Sequence, residues 1–195
     1  MNNFLNAILV ILLLTTSQFI LAVDKAPKGW SKGGKNTENF IVGTDEELGY
    51  KSTQSAFIVS NSGNLNGLGT LSQTADASEF LNQRVKLTVF LKTEMVTGWS
   101  GAWFRVDGSG TGSDVVLSMD NMRSRPITGT SDWNEYSLVL DVPAHAVRIH
   151  YGAILFGGGK IWIDELSLEV VDLNTPITAT YFGISEPRNL SFENN

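Results

Sequence analysis

The sequence predicts an all-β sandwich, and three observations carry that prediction. Short runs of β-branched and aromatic residues recur between clusters of Gly, Asn, Asp and Ser. Beyond position 22 no stretch of about ten residues or more keeps a helical period. Nothing in the chain is then left to serve as crossover helices, so a sandwich fits better than any α/β plan.

In chain order, NFIVGT (39–44), SAFIVS (55–60) and LGTLSQT (68–74) are short strand-forming runs bounded by turn residues. DASEFLN (76–82) has room for one helical turn. QRVKLTVFLKT (83–93) sets Val85, Leu87, Val89 and Leu91 against Lys86, Thr88, Phe90 and Lys92, a period of two that gives one core face. SGAWFRVD (100–107) sets Ala102, Phe104 and Val106 against Trp103, Arg105 and Asp107. VVLSMD (115–120) and EYSLVLDV (135–142) follow. In AVRIHYGAILF (146–156), Val147, Ile149, Tyr151, Ala153 and Leu155 face inward, opposite Arg148 and His150. KIWIDELSLEVV (160–171) breaks its alternation after Ile163, and a β-bulge at Asp164-Glu165 would return Leu166, Leu168 and Val170 to the core side.

Residues 1–22 carry no charged side chain and close an apolar run on Ile20-Leu21-Ala22, which reads as a secretory signal peptide cut after Ala22. An uncleaved segment would instead anchor the protein, the one case in which the membrane is a partner. Residues 23–172 form the sandwich domain, and 173–195 a linker and C-terminal tail. The expected location is secreted or periplasmic.

Composition narrows the function. The chain has no Cys, which removes disulfides, thiol catalysis and thiolate metal sites, so stability rests on a core. A net charge of −6 with scattered Lys and Arg argues against nucleic acid as a partner. GSGTGS (108–113) precedes a strand where a phosphate loop needs a helix N-terminus. His145 and His150 are the only histidines and show no zinc spacing, and no G-x-S-x-G elbow occurs. Asp107, Asp114, Asp120, Asp164, Glu165 and Glu169 could supply the carboxylate pair of a small glycoside hydrolase, or plain surface charge.

The aromatics say more. A sheet face turned to solvent usually carries Thr, Ser, Lys and Glu, so Phe90, Trp103 and His150 on such faces are departures. Sugars stack C–H faces on aromatic rings while their hydroxyls seek Arg, Asp and Asn. Trp103, Arg105, Asp120, Asn121, Arg125 and His150 form such a set if the strand order joins them. In the competing reading Trp103 packs beneath a loop and Arg105 pairs with Asp120 as a structural tie. Trp99, Trp133 and Trp162 read as packing or turn residues.

The series PKGW, GTLSQTADA, RVKLTVFLKTE, GWSGAWFRVDG, MDNMRSRPITGTSDWNEYSLVLDVP and GKIWIDELSLEV, over residues 27–171, resembles the galactose-binding-like β-sandwich of bacterial carbohydrate-binding modules. The resemblance implies a non-catalytic jelly roll whose concave sheet or end loops bind, with Trp103, Arg105, Asp120, Asn121 and Arg125 as ligand residues. It departs at the ends. The N-L-x-F-E that such modules carry in a first strand occurs here as NLSFE at 189–193. Those residues would return as a strand to the sheet, or form a tail or the start of a second module. The resemblance also implies a structural calcium, for which Asp164 and Glu193 are candidate ligands, and no other cofactor. The function expected is a secreted, non-catalytic module for carbohydrate or another extracellular surface ligand. The alternatives are an extracellular protein-interaction or envelope-structural domain, and the small hydrolase.

Overall fold

A computed structural model describes residues 24–61, 66–110 and 114–179. The signal peptide expected at 1–22 and the returning strand considered at 189–193 fall outside those residues.

The strands are β1 (Ser31–Lys35), β2 (Phe40–Asp45), β3 (Ser55–Ser60), β4 (Leu68–Asp76), β5 (Gln83–Ser109), β6 (Asp114–Asp120), β7 (Ile127–Val142), β8 (Ala146–Phe156) and β9 (Lys160–Val171). The helical turn expected in 76–82 is a 3-10 turn at Ser78–Phe80. Pairing runs β1-β4-β8-β5-β9-β3-β2, with β6 and β7 also on β5. Because β5 pairs β8 through residues 99–108 and β9 through residues 84–94, it belongs to two sheets. The first sheet is β1-β4-β8-β5-β6 and the second is β7-β5-β9-β3-β2.

The two strands expected at 83–93 and 100–107 are thus a single one that bends from sheet to sheet. Its pairing with β7 slips three times between Leu91 and Ser100, and Met95 takes a positive φ of 49° there. Slips of this kind turn a strand without ending it. β1 has no apolar residue to signal it, and it joins the edge through backbone pairing to β4. A Cβ on Gly34 would stand 1.8 Å from the Leu68 carbonyl oxygen, so that close approach requires glycine.

The core lies between the sheets. Val85, Leu87, Val89 and Leu91 are fully buried, as are Ala102, Phe104, Val106, Ile149, Ala153 and Leu155. Each buried Val, Leu, Ile or Phe contributes about 1.5–3 kcal/mol, and with no Cys this burial is the main cohesion of the domain. The bulge expected in β9 is present. Thr88 pairs Ser167 and Phe90 pairs Asp164, which leaves an extra residue on β9, and Glu165 has φ 50°. Ile161, Ile163, Leu166 and Leu168 consequently all reach the core, whereas Val170, expected on the same side, lies 52% exposed near the end of the strand.

Chain on either side of the strands covers the second sheet's outer strands. Lys25 donates its amide to the Val42 carbonyl (3.0 Å), and the Val42 amide donates to Asp24 Oδ1 (3.1 Å). At the other edge the Thr178 amide donates to the Val139 carbonyl (2.9 Å), and the Val139 amide to Thr178 Oγ1 (2.8 Å). Residues 173–179, within the expected linker, are therefore fastened along β7.

Candidate functional site

The outer face of the first sheet brings together three of the six expected ligand residues. Alternation along β5 turns Phe104 into the core and Trp103 and Arg105 away from it, and β8 sets His150 directly opposite Arg105. The Trp103 and His150 rings lie nearly parallel, 14° apart with centroids at 6.3 Å. Trp103 faces Gly152 across the pair, where a Cβ would stand 2.1 Å from the Leu71 carbonyl oxygen.

Asp107, on the same face, organises this group. Its carboxylate is 1% exposed and receives Arg105 Nε (2.7 Å) and Nη2 (2.5 Å) as a fork, with His150 Nε2 at 3.1 Å. Thr74, opposite His150 on β4, places its hydroxyl 2.9 Å from His150 Nδ1. Burial pushes the His150 pKa down; Asp107 raises it, and the charges of Arg105 and Arg148 lower it, with the balance below the usual imidazole value. The neutral ring donates Nε2–H to Asp107, which only accepts, and Nδ1 accepts from the Thr74 hydroxyl. Trp103 Nε1 is buried with no hydrogen-bond acceptor among the described residues. An unmet donor of this kind costs about 1–3 kcal/mol.

Asp120, Asn121 and Arg125 are not part of this group. β5 sets Phe104 opposite Asp120 and Met119 opposite Arg105, so Asp120 points to the core side, where it is fully buried. It takes Arg125 Nη1 (3.0 Å) and Nη2 (2.6 Å) and the Met122 amide (2.9 Å), while Asn121 Oδ1 accepts the Arg123 amide (3.1 Å). These three residues brace the loop between β6 and β7. The tie considered between Arg105 and Asp120 is replaced by two separate pairs, Arg105–Asp107 and Arg125–Asp120. Sequence reasoning had not singled out Thr74. Its signal is the β4–β8 register, which exists only after pairing.

The expected calcium ligand Asp164 has its oxygens engaged. Oδ2 accepts the Tyr50 amide (2.7 Å) and the Ser52 hydroxyl (3.0 Å), and Oδ1 the Glu165 amide (2.8 Å), fastening loop 46–54 to β9. Glu193 lies outside the described residues. Among those described, no group of three or more His, Asp or Glu is arranged to hold a metal ion. On the second sheet Phe90 carries Tyr50 flat on its ring, centroids 3.8 Å apart, and Lys51 Nζ lies 4.8 Å from the Tyr50 ring centroid. Phe90 is therefore a covered packing residue, seating loop 46–54.

No family model matches the chain. It is 37% identical over 175 residues to an uncharacterized HTH-type transcriptional regulator, YbfP, of Bacillus subtilis (strain 168), an alignment covering 88% of this chain. It spans 58% of that relative's length. Among solved structures it is similar to the enzymatically active domain of bacteriophage CBA120 tailspike protein 4 (TM-score 0.55, 14% identity, 74% of this chain and 20% of that one). It is also similar to the CBM22-1–GH10 modules of Clostridium thermocellum xylanase 10B (0.52, 17%, 78% and 28%). A third likeness is to the CBM22-1 xylan-binding domain of Paenibacillus barcinonensis Xyn10C (0.51, 14%, 76% and 90%), nearly the whole of that chain. The chain has the galactose-binding-like β-sandwich fold of carbohydrate-binding modules.

Proposed function

We propose that this domain is a secreted or periplasmic, non-catalytic module that binds carbohydrate on the outer face of its first sheet. The observation that carries the reading is the Trp103–His150 ring pair held beside a buried Asp107–Arg105 fork. Trp103 supplies a flat apolar face for a sugar ring; the Arg105 N–H groups not given to Asp107 and the free lone pair of the Thr74 hydroxyl serve sugar hydroxyls, while His150, with both nitrogens engaged, holds Thr74 and Asp107 in place. The geometry is set before any ligand arrives, because Asp107 locks Arg105 and the imidazole in place, which lowers the entropy lost on binding. Two findings support a binding role over turnover. The fold matches a xylan-binding domain along nearly all of that domain's length. Asp107, Asp114 and Asp120, three of the carboxylates a hydrolase would use, are each paired with an arginine. The apolar segment 1–22 supports export.

The test is affinity electrophoresis and calorimetry of residues 23–195 against xylan, cellulose-derived, galactan and mannan glycans, beside Trp103→Ala and Arg105→Ala. The expected result is binding of at least one glycan, weakened about tenfold or more in both variants while their circular dichroism is unchanged. Folded variants that bind as tightly as the native protein would remove this face as the site.

A further inference from the structure

Thr74, His150 and Arg105 stand in one row across β4, β8 and β5, each opposite the next in the strand pairing. Thr74 is the exposed end of that row, and the imidazole behind it is engaged at both nitrogens. Asp107 only accepts, so Nε2 keeps its proton in either charge state of the ring. Nδ1 is then the atom that titrates, and it lies 2.9 Å from the Thr74 hydroxyl oxygen.

This contact has a direction. While the ring is neutral, bare Nδ1 accepts the Thr74 hydroxyl hydrogen, and the oxygen turns only lone pairs to solvent. Once protonated, Nδ1 can only donate, so Thr74 Oγ1 accepts from it and the hydroxyl hydrogen is released outward. A proton taken up by a ring that is 20% exposed thus converts an exposed acceptor into an exposed donor. A sugar hydroxyl meets either form, since it both donates and accepts. An ether or ester oxygen has no hydrogen to give and meets only the second. The charged groups around the ring are Asp107 and Arg105 from β5, Arg148 of β8, Asp114 of β6 on Arg148, and Asp76 of β4 opposite Arg148. Burial, together with Arg105 and Arg148, outweighs Asp107 and sets the transition on the acid side of the ordinary imidazole value.

We infer that Thr74 is a specificity-determining residue of this face: beside neutral His150 it selects a free sugar hydroxyl over an O-methylated or O-acetylated position, and protonation of His150 abolishes that selection. The inference rests on the proposed carbohydrate reading of the same face. Its test has two arms. Nitrogen-15 NMR of the native protein should show His150 protonated on Nε2 alone at pH 7.5 and on both nitrogens after acidification. A neutral ring protonated on Nδ1 overturns the reversal, because Thr74 would then donate outward in both states. Calorimetry compares xylohexaose with its mono-O-methyl ethers at pH 7.5 and at about one pH unit below the His150 transition found by NMR. At pH 7.5 the ether whose methylated oxygen falls at Thr74 binds about tenfold more weakly than xylohexaose, and at the lower pH the gap closes. Thr74→Val, which keeps the branched shape and loses the hydroxyl, shows no gap that responds to pH, whereas Thr74→Ser retains one. Ethers that all bind like xylohexaose at pH 7.5, a gap equal at both pH values, or a pH-dependent gap that survives in Thr74→Val each overturns the assignment to Thr74 while sugar binding stands. Xylohexaose unbound at both pH values overturns the carbohydrate reading for this sugar, and the selectivity with it.

Discussion

Asp107 governs the chemistry of the candidate site from a position almost without solvent. A carboxylate at 1% exposure needs compensation, and the Arg105 fork and the His150 N–H provide it. The same arrangement makes His150 a pH-sensitive element. Its folded-state pKa lies below the free value of about 6.5, so the unfolded chain takes up the proton first and native stability falls as pH drops below that value. Urea titrations at pH 7 and pH 5 should show a loss of stability on acidification that is smaller in His150→Gln; an equal loss in both proteins would remove the imidazole as its source. Part of this site was legible in the sequence. Arg105 and Asp107 stand two apart on an alternating strand, hence on one face, and Trp103 precedes them at the same spacing. Asp120 was misplaced because its face depends on whether it stands opposite Phe104 or Arg105, and β6 pairs with β5 in a register that slips between Val106 and Asp107.

Among the elements, those with apolar alternation were visible and those without it were not. Val85 to Leu91 and Ala102 to Val106 announced their core faces, and the broken period of β9 announced its bulge. β1, with sequence SKGGK, and the polar first half of β7, from Ile127, carry no such pattern, since they form by backbone pairing at sheet edges. The bend within β5 falls in the gap left between the strands read at 83–93 and 100–107, although pairing with β7 continues through it. The β4–β8 contact behind Trp103 rests on a glycine. In Gly152→Ala the new methyl carbon would meet the Leu71 carbonyl oxygen at 2.1 Å, so the two strands must part. The expected cost is about 1–3 kcal/mol in urea denaturation, with a changed Trp fluorescence spectrum as Trp103 shifts. Unaltered stability and fluorescence would show that the pair tolerates a side chain there.

At the scale of the whole molecule, the second sheet is closed at both edges by chain that is not itself strand, Asp24-Lys25 beside β2 and Thr178 beside β7. Covered edges present no free ladder to another chain. Arg84 holds the second of these covers. Its guanidinium forks onto Asp141 and donates Nη1 to the carbonyls of Leu173 and Thr175 (2.7 Å to the latter). Arg84→Ala should raise hydrogen exchange at the amides of Val139 and Thr178 while that of Val89 and Ala153 in the core stays slow; protection retained at Thr178 would show that the segment is held without it. By itself the sequence determined the all-β class, the buried side of each alternating strand and the dependence on a core, because side-chain period and the lack of Cys are local properties. Only the tertiary structure decided which strands are neighbours, and through them that His150 meets both Thr74 and Asp107 while Asp120 turns to Arg125. Those contacts join residues far apart in the chain, and their partners are set by sheet order and register, which the packing of the two sheets selects together.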